Sequence, residues 1–373
     1  MSSTKVFDVA VVGLGTMGSF ACMELARRGA AVVGLDRFAP PHGHGSHSGD
    51  TRIYREAYAE NPNYVPFVKQ AGQLWDLYRE QAGCTLLHRC GMLSMGPPKS
   101  PVMIGIQRSA GMHQVQVQQL SAAEIRREYP AFHPPDDHVG MYDGAAGWID
   151  VNAALNFSLK EAGTAGATIL LNQPVQRWQS TGSTIRIESG DETFEASRLI
   201  LAAGAWSDQL ITGLPLSLER KVLVWVDAAN RKLFQPGTMP VFMFAEKSFY
   251  GFPNIGDRGV KLAIDTKSGD ALADPTAMHP VVADDLAPVL ELAAKYLPNL
   301  GRPAVKDAKT CIYTMTPDEN FIIDRHPEHE NVYFAAGFSG HGFKFAPAVG
   351  LALADLALTG QTTVPIGFLK LRT

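Results

Sequence analysis

The chain has 373 residues, a length that suggests two domains rather than a single core. Hydrophobic residues make up 46% of it and charged residues 19%, so the chain can bury a large core and is not an intrinsically disordered protein. The formal net charge is −4 and there is no basic run, which argues against nucleic acid or an anionic membrane as a partner.

Three glycines separate the first predicted strand, Phe7–Val12, from the first predicted helix, Ser19–Arg28. Gly13 permits a tight turn, Gly15 allows the backbone to approach a pyrophosphate, and Gly18 lets the helix pack closely on the strand. The exposed N–H groups at the start of such a helix favour a diphosphate. The spacing therefore predicts a dinucleotide site.

Asp36 ends the next predicted strand, where it can accept hydrogen bonds from an adenosine ribose. The glycine pattern is weak evidence by itself, because an ordinary α/β domain also contains glycine turns. Here a strand precedes the glycines, a helix follows them and an acidic residue ends the second strand. Dinucleotide binding is therefore the favoured interpretation, with an ordinary glycine turn as the alternative.

The rest of the chain alternates predicted helices, strands and two glycine-rich loops. Further helices are predicted over Tyr64–Gln81, Ser121–Tyr129, Ala153–Ala165, Asp284–Tyr296 and Ala346–Leu358. Strands are predicted over Leu86–Met95, Thr168–Leu171, Val175–Arg177, Thr184–Ser189, Thr193–Ala196, Val222–Asp227, Val241–Phe244, Val260–Asp265, Cys311–Thr314, Phe321–Ile323 and Val332–Ala336. The loops are Pro40–Arg55 and Gly144–Asp150, and Ser121 with Glu124 has the spacing of a capping box.

A second glycine turn near the C-terminus, followed by a helix, indicates that the chain returns to the nucleotide domain. We therefore expect an α/β fold in which a Rossmann-like domain is interleaved with a substrate domain on a mainly antiparallel sheet. The predicted nucleotide domain comprises residues 1–85, 150–215 and 305–373, and the predicted substrate domain comprises residues 86–149 and 216–304.

The four cysteines, Cys22, Cys84, Cys90 and Cys311, show neither Cys-x-x-Cys spacing nor a disulfide framework, which is typical of a reducing compartment. No basic segment precedes an apolar run of signal-peptide length, and no apolar stretch approaches the ~18 residues of a membrane span. The sequence therefore predicts a soluble cytoplasmic protein without a membrane partner, and no metal site.

Five strings together resemble the monomeric sarcosine oxidase family, whose close relative is N-methyl-L-tryptophan oxidase. They are Gly13–Gly18, Ser46–Arg52, Tyr250–Pro253, Cys311–Tyr313 and Gly337–Phe345. The resemblance runs from end to end in the family's order. The string Ser-His-Ser-Gly-Asp-Thr-Arg and the string Gly-Phe-Ser-Gly-His-Gly-Phe-Lys are far more specific than the first glycine motif.

The resemblance implies an FAD enzyme that oxidises a secondary amine of an amino acid and passes the electrons to O2, giving an imine or aldehyde and H2O2. It also implies that FAD is bound covalently through the sulfur of Cys311, and that the protein is a monomer. By residue type alone, Cys311 could instead be a buried inert thiol.

Residues that match the family's FAD contacts come from every part of the predicted nucleotide domain. They are Gly13, Gly15, Thr16, Met17, Gly18, Asp36, Arg37, Ser46, His47, Thr51, Arg52, Val175, Gly204, Trp206, Cys311, Gly337, Gly340, His341, Gly342, Phe343 and Lys344. For His47 the alternative is a structural histidine, and for Trp206 it is a core residue that packs on a strand.

Seven residues match the family's catalytic or substrate positions: Lys261, Arg52, Arg55, Lys344, Tyr250, Tyr313 and Asp265. The resemblance implies that Arg55 and Lys344 hold the substrate carboxylate, as suits a guanidinium, and that Lys261 activates oxygen. It places Arg52 against the flavin and the two tyrosines in the pocket. By pattern alone these cations could be solvated surface residues.

Two positions depart from the family pattern, because Ser48 and Asp265 stand where the family has histidines. We infer that Asp265 accepts charge from a protonated substrate amine or a basic side chain, although it could also be a solvated turn residue. The changes put sarcosine in doubt as the substrate. A larger or cyclic secondary amino acid, N-methyltryptophan or a glycated amino acid is equally compatible.

Three other functions remain compatible with the motifs. A flavin dehydrogenase could pass electrons to another acceptor, although Lys261 favours O2. A nicotinamide-dependent dehydrogenase would share the first glycine motif, but it has no evident need for the C-terminal glycine turn or for the strand with Cys311. A non-catalytic nucleotide-binding protein would have little use for Lys261 and Cys311 together.

Overall fold

Two large sheets organise the structure, a computed structural model that describes residues 6–265 and 270–372. One sheet is largely parallel and the other mainly antiparallel, which confirms the predicted α/β fold. In the described residues the α-helices are α1 (Thr16–Arg27), α2 (Tyr64–Ala82), α3 (Pro101–His113), α4 (Ala122–Glu128), α5 (Val151–Thr164), α6 (Ser207–Leu210), α7 (Ala283–Tyr296) and α8 (Ala346–Thr359).

The strands are short, and most are bounded by turns. Along the described chain they are β1 (Val6–Val12), β2 (Val32–Leu35), β3 (Thr51–Tyr54), β4 (Leu87–Arg89), β5 (Met92–Gly96), β6 (Val117–Ser121), β7 (Val139–Asp143), β8 (Gly147–Asp150), β9 (Thr168–Leu170), β10 (Arg177–Ser180), β11 (Ile185–Ser189), β12 (Glu192–Leu201), β13 (Ser217–Val226), β14 (Val241–Phe244), β15 (Phe249–Phe252), β16 (Val260–Ile264), β17 (Asp270–Leu272), β18 (Val305–Met315), β19 (Ile322–Arg325) and β20 (Val332–Ala336).

The first sheet has the order β10-β11-β12-β1-β2-β9, and β20 pairs with β12 and β19. Strand β1 pairs in parallel with β2 and β12, and β12 pairs in parallel with β20. Parallel neighbours share a carboxyl-terminal edge, where open α/β sheets bind their ligands. The residues that follow these four strands are Gly13, Asp36, Ala202 and Gly337, so the predicted nucleotide positions meet at one edge.

The second sheet has the order β17-β13-β16-β15-β14-β5-β7-β6, and β18 also pairs with β13. Antiparallel pairing sets Lys221 opposite Cys311, Glu219 opposite Tyr313, and Trp225 opposite Lys261. Residues directly opposite each other share a face, and side chains two apart on a strand do so as well. One face of the sheet therefore carries all of these side chains. Alternate residues such as Val224 and Leu262 pack in the apolar cluster with α7 on the other face.

Several local predictions were wrong where distant pairing decides the structure. The predicted loops 40–55 and 144–150 end in β3 and β8, which pair with each other in a three-stranded sheet that includes β4. The strand predicted over 86–95 is split in two at Gly91, whose φ is +77°. The strand predicted over 175–177 begins only at Arg177. The sequence analysis missed α3, although Ser100 caps it and Pro101 is its first residue.

The capping box of Ser121 and Glu124 is present at the start of α4, as predicted.

The domain boundaries stay a prediction. Strand β18, which begins at Val305, pairs with β13 of the second sheet. Within residues 6–265 and 270–372, no helix combines the length and the apolar character that crossing a membrane requires.

We expect Gly18→Ala to destabilise the protein, because a Cβ at Gly18 would lie 1.8 Å from the carbonyl oxygen of Gly13. Backbone cannot yield as a flexible side chain does, so the overpacking should cost about 3 kcal/mol of the free energy of unfolding. Urea unfolding measures the loss.

Gly163→Ala is the matched control, because nothing lies within 4 Å of a Cβ at Gly163 in α5. It should be stabilising by about 0.5 to 1 kcal/mol. Equal stability of Gly18→Ala and the unsubstituted protein would contradict the close packing of β1 on α1.

Candidate active site

A cavity of about 350 Å³ lies at the carboxyl-terminal edge of the first sheet. We call it the first cavity. Most of the residues predicted to bind the cofactor line it: Gly13, Gly15, Thr16, Met17, Asp36, Arg37, Ser46, His47, Arg52, Val175, Gly204, Trp206, Gly337, Gly340, Gly342 and Phe343. Residues from four separate parts of the chain therefore meet around one space.

The glycine loop leaves the start of α1 open to this cavity. Gly13 has a φ of +90°, a conformation that side chains rarely adopt. Gly15 precedes α1 and provides no side-chain cap, so the first N–H groups of the helix have no side-chain acceptor from it. The ring of His47 lies 3.6 Å from the place of a Cβ at Gly15. Such an open, positive helix end fits a diphosphate.

Asp36 is buried beside the same loop. Its carboxylate accepts hydrogen bonds from the backbone N–H of Leu14 at 2.6 Å and of Phe38 at 2.8 Å. Burial raises the pKa of Asp36, and these two hydrogen bonds oppose the rise. The carboxylate thus holds the loop between β1 and α1 in shape. Its contact with a ribose stays a prediction.

Trp206 offers an unused donor at the other side of the first cavity. Its indole Nε1 is buried and has no hydrogen-bond partner in the described chain. The guanidinium of Arg37 lies 5.6 Å from the centre of its ring. Burying an N–H without a partner is costly, so this donor fits a site that a polar ligand completes. The open loop, the cavity and this donor together fit an adenine dinucleotide.

Arg52 ties the loop that contains Ser46–Arg52 to the second sheet. Its Nη2 donates to the carbonyls of Ser46 and Ser48, each at 2.6 Å, and lies 3.7 Å from the sulfur of Cys311. Burial raises the pKa of the Cys311 thiol, while Arg52 and Lys261 oppose the rise. Cys311 does not itself line either of the two cavities described here, although Arg52 and Ser46 beside it do.

Lys261 is buried between the second sheet and the same loop. Its ammonium donates to the carbonyl of Gly49 at 2.5 Å, to the carbonyl of Thr51 at 3.0 Å and to the Thr51 hydroxyl at 3.1 Å. Burial lowers the pKa of Lys261 well below its ordinary value, and Arg52 adds to the effect. The loop thus gives this cation three acceptors, which partly offset its desolvation.

A second cavity of about 580 Å³ adjoins the first. Both are lined by Arg52, Tyr313, Ser339, Gly340 and Phe343. Six predicted site residues line the second cavity without lining the first: Thr51, Arg55, Tyr250, Asp265, His341 and Lys344. Phe252, from the Tyr250–Pro253 string, lines it as well. A ligand in the second cavity would therefore lie next to a cofactor in the first.

Arg55 and Lys344 come together around Tyr58 at one end of the second cavity. The Arg55 guanidinium lies 4.7 Å and the Lys344 ammonium 5.3 Å from the centre of the tyrosine ring. Arg55 Nη2 pairs with Glu60, but Arg55 Nη1 is buried without a hydrogen-bond partner among the described residues. Lys344 donates to the carbonyl of His341 at 2.5 Å. This unused donor of Arg55, with the Lys344 ammonium nearby, suits a carboxylate ligand.

Burial and neighbouring charges together determine the protonation of Lys344, His341 and Glu60. Burial lowers the pKa of Lys344 to about 7, and the charge of Arg55 adds to this effect. Burial also lowers the pKa of His341 to about 4. Burial acts to raise the pKa of Glu60, but Arg55, His341 and Lys344 outweigh it and bring the value to about 2. Glu60 is thus ionised at neutral pH, His341 is neutral, and the charge of Lys344 varies with pH.

Asp265 and two residues that the sequence analysis missed, Glu219 and Lys221, also line the second cavity. Lys221 Nζ lies 2.7 Å from a Glu219 oxygen and 3.8 Å from an Asp265 oxygen. The Tyr250 and Tyr313 hydroxyls, 3.5 Å apart, lie on the same sheet face. Alternation along β13 would have paired Glu219 with Lys221, but only strand pairing brings them to Asp265. Glu60 and Tyr58 had no sequence signal.

The chain is similar to known proteins over nearly its whole length. A family model of FAD dependent oxidoreductases matches residues 8–356. The chain is 36% identical to a monomeric sarcosine oxidase of Streptomyces avermitilis, covering 98% of this chain and 97% of that protein. It is 33% identical to an N-methyl-L-tryptophan oxidase of Yersinia pestis, covering 98% of each. The solved structure of NikD, an amino acid oxidase of nikkomycin biosynthesis, has a similar fold, with a TM-score of 0.87 at 23% identity over 98% of each chain.

Acetate should bind the second cavity more weakly as pH rises through about 7, because Lys344 then loses its charge while Arg55 keeps its own. Between about pH 6 and about pH 9 we expect the dissociation constant to rise about tenfold, the effect of losing one charge-assisted hydrogen bond. Calorimetric titration of the holoenzyme measures it.

Lys344→Gln is the control for this titration. It should bind acetate weakly at every pH, with a flat profile over the same range. A flat profile for the unsubstituted protein would show that Lys344 does not titrate near pH 7.

Proposed function

The chain belongs to the family of FAD dependent oxidoreductases and is a flavin-dependent amine oxidase of the sarcosine oxidase type, and we propose that it oxidises an N-methyl, cyclic or otherwise N-substituted amino acid. The observation that carries this substrate class is the unpartnered Arg55 Nη1 beside Lys344, in a cavity that adjoins the first cavity. Two cations there would hold the carboxylate of an amino acid.

FAD, when bound, would supply the oxidation itself: two electrons and two protons would leave the C–H and N–H bonds of the substrate, the C–N bond would become C=N, and O2 would be reduced to H2O2. The protein's part is to hold and orient the reactants. Arg55 and Lys344 would fix the carboxylate end of the substrate, and the Tyr250 and Tyr313 rings would pack on its remainder. Fixing an amino acid at one end restricts where its C–N bond can lie, which lowers the entropic part of the barrier.

The first cavity would hold FAD by its glycine loop, by Asp36 and by Trp206. Arg52, which lines both cavities, would lie between cofactor and substrate, and its positive charge would stabilise negative charge that develops during the reaction. Lys261, held by Gly49 and Thr51 on the sheet face that carries Cys311, would provide the positive charge that stabilises reduced oxygen. After oxidation, water would split the imine into a carbonyl compound and an amine.

Cys311 is the proposed point of covalent attachment. Its sulfur lies beside Arg52 and 3.4 Å from the Ser46 carbonyl, and both of these residues line the first cavity. The nearby cations Arg52 and Lys261 favour the thiolate, the form that reacts as a nucleophile. Burial opposes it, so attachment would depend on those two charges.

Acid precipitation tests the attachment. Yellow colour should stay in the pellet of the unsubstituted protein, and Cys311→Ala should release it to the supernatant. Cys84→Ala is the control, because Cys84 is an exposed free cysteine away from both cavities, and its colour should stay in the pellet. Colour in the supernatant of the unsubstituted protein would refute covalent attachment and leave FAD binding intact.

Peroxide formation tests the function. The purified enzyme should produce H2O2 from at least one of sarcosine, N-methyltryptophan, pipecolate or a glycated amino acid. Lys261→Met should lower kcat/KM for O2 by about 100-fold or more, because a positive charge beside the reacting oxygen is lost. The rate at which the same substrate reduces the flavin in the absence of O2 should change far less. Reduction of a dye by substrate without peroxide would instead support a flavin dehydrogenase.

A further inference from the structure

Glu219, Lys221 and Asp265 form a charged cluster in the wall of the second cavity, which we call the acidic triad. We propose that the acidic triad binds a second, cationic group of the substrate, so that the preferred substrate is an N-substituted amino acid with a basic side chain. This inference rests on the proposed function, because it concerns the substrate of the same site.

The charges of the triad do not balance. Two carboxylates face one ammonium, and that ammonium is much closer to Glu219, at 2.7 Å, than to Asp265, at 3.8 Å. Lys221 is buried, with 5% of its side chain exposed, and also lies 5.4 Å from the centre of the Tyr313 ring. It is therefore fixed in place and mainly neutralises Glu219, which leaves negative charge on Asp265.

Asp265 is accessible to a ligand in the cavity. About 40% of its side chain is exposed, and the residue lines the second cavity. Burial raises the pKa of Asp265 to about 6, Lys221 opposes the rise, and the carboxylates of Glu60, Glu319 and Glu219 add to it. Because the carboxylates of Glu60, Glu319 and Glu219 repel its charge, Asp265 favours an ammonium or guanidinium beside it over a neutral or anionic group.

The same cavity is also lined by Arg55 and Lys344, which suit an anion. Arg55 is 7% exposed, and its Nη1 is buried without a hydrogen-bond partner in the described chain. That unused donor indicates a ligand with a carboxylate. A molecule that satisfies both groups of residues therefore carries an anionic group and a cationic group, beyond the amine that is oxidised.

Three Nα-methyl amino acids of similar length test the proposal: Nα-methyllysine, Nα-methylnorleucine and Nα-methyl-2-aminoadipate, which end in a cation, a methyl group and a carboxylate. For the holoenzyme near pH 8, peroxide assays should give a kcat/KM about tenfold higher for the lysine derivative than for the norleucine derivative. The aminoadipate derivative should be the poorest substrate. The difference should lie in KM, because the triad binds a group remote from the reacting bond.

Asp265→Asn should lower kcat/KM for the lysine derivative about tenfold more than for the norleucine derivative, so that the preference for the lysine derivative is lost. Glu219→Gln is the second variant in case Asp265→Asn does not fold, and it should reduce the preference because Lys221 is then freed to pair with Asp265. Asp191→Asn, on an exposed turn between β11 and β12, is the matched control and should leave the preference intact.

Four outcomes would overturn the inference. Equal kcat/KM for the lysine and norleucine derivatives would do so, and a preference for the aminoadipate derivative would mean that Lys221 binds a second carboxylate. An equal loss for all three substrates in Asp265→Asn would place Asp265 at the reacting amine. In these three cases peroxide still forms, so the proposed function survives. Peroxide from none of the derivatives, nor from any compound of the earlier screen, would overturn both.

Discussion

The cost of burying a charge is the constraint on which the site depends. Arg55, Lys221, Lys261 and Lys344 are each no more than 7% exposed, in the region where the two large sheets meet. A buried cation is tolerated only when hydrogen-bond or ion-pair partners offset its loss of hydration, and these cations have partners of different kinds. Loop oxygens surround Lys261, a carboxylate pairs with Lys221, and Arg55 is only half satisfied by Glu60. A cation whose donors are paired within the protein, such as Lys261, has a structural role, whereas Arg55, with one unpaired donor, is suited to bind a ligand.

Lys261 shows how one buried charge joins two parts of the chain. It lies on β16 of the second sheet, while its three acceptors belong to Gly49 and Thr51 at the start of β3. The loop that lines the first cavity is therefore held by the sheet that forms the floor of the second. Arg52 makes the reverse connection, since it lies on that loop and reaches Cys311 on β18. The residues that line the two cavities are consequently connected by polar contacts between this loop and the second sheet.

The register of the strands in the second sheet determines which side chains share a face. Pairing of β13 with β16 and β18 turns Glu219, Lys221, Lys261, Cys311 and Tyr313 to one face. Intervening residues such as Val224, Val226 and Leu262 pack in the apolar cluster with α7, so alternation along the strands separates most of the cavity side chains from this core. A slip of one residue between two strands would turn these charged side chains into the apolar core and the core residues towards the cavity. The same register brings the acidic triad together in the wall of the second cavity, which Arg55 and Lys344 line from outside the sheet.

Features that depend on neighbouring residues could be predicted from the amino-acid sequence alone. The glycine spacing before α1, the capping box of α4 and the strands Val241–Phe244 and Val332–Ala336 were predicted correctly because local backbone conformation follows local composition. The family strings also identified the enzyme class and named Arg55, Lys344 and Asp265. Which groups share a cavity depends instead on how distant parts of the chain pack together. Glu60, Glu219 and Lys221, the unused Arg55 Nη1, and the pairing of β3 with β8 all depend on residues far apart in the chain. Burial and charge neighbours are properties of the folded arrangement, and no local pattern encodes them.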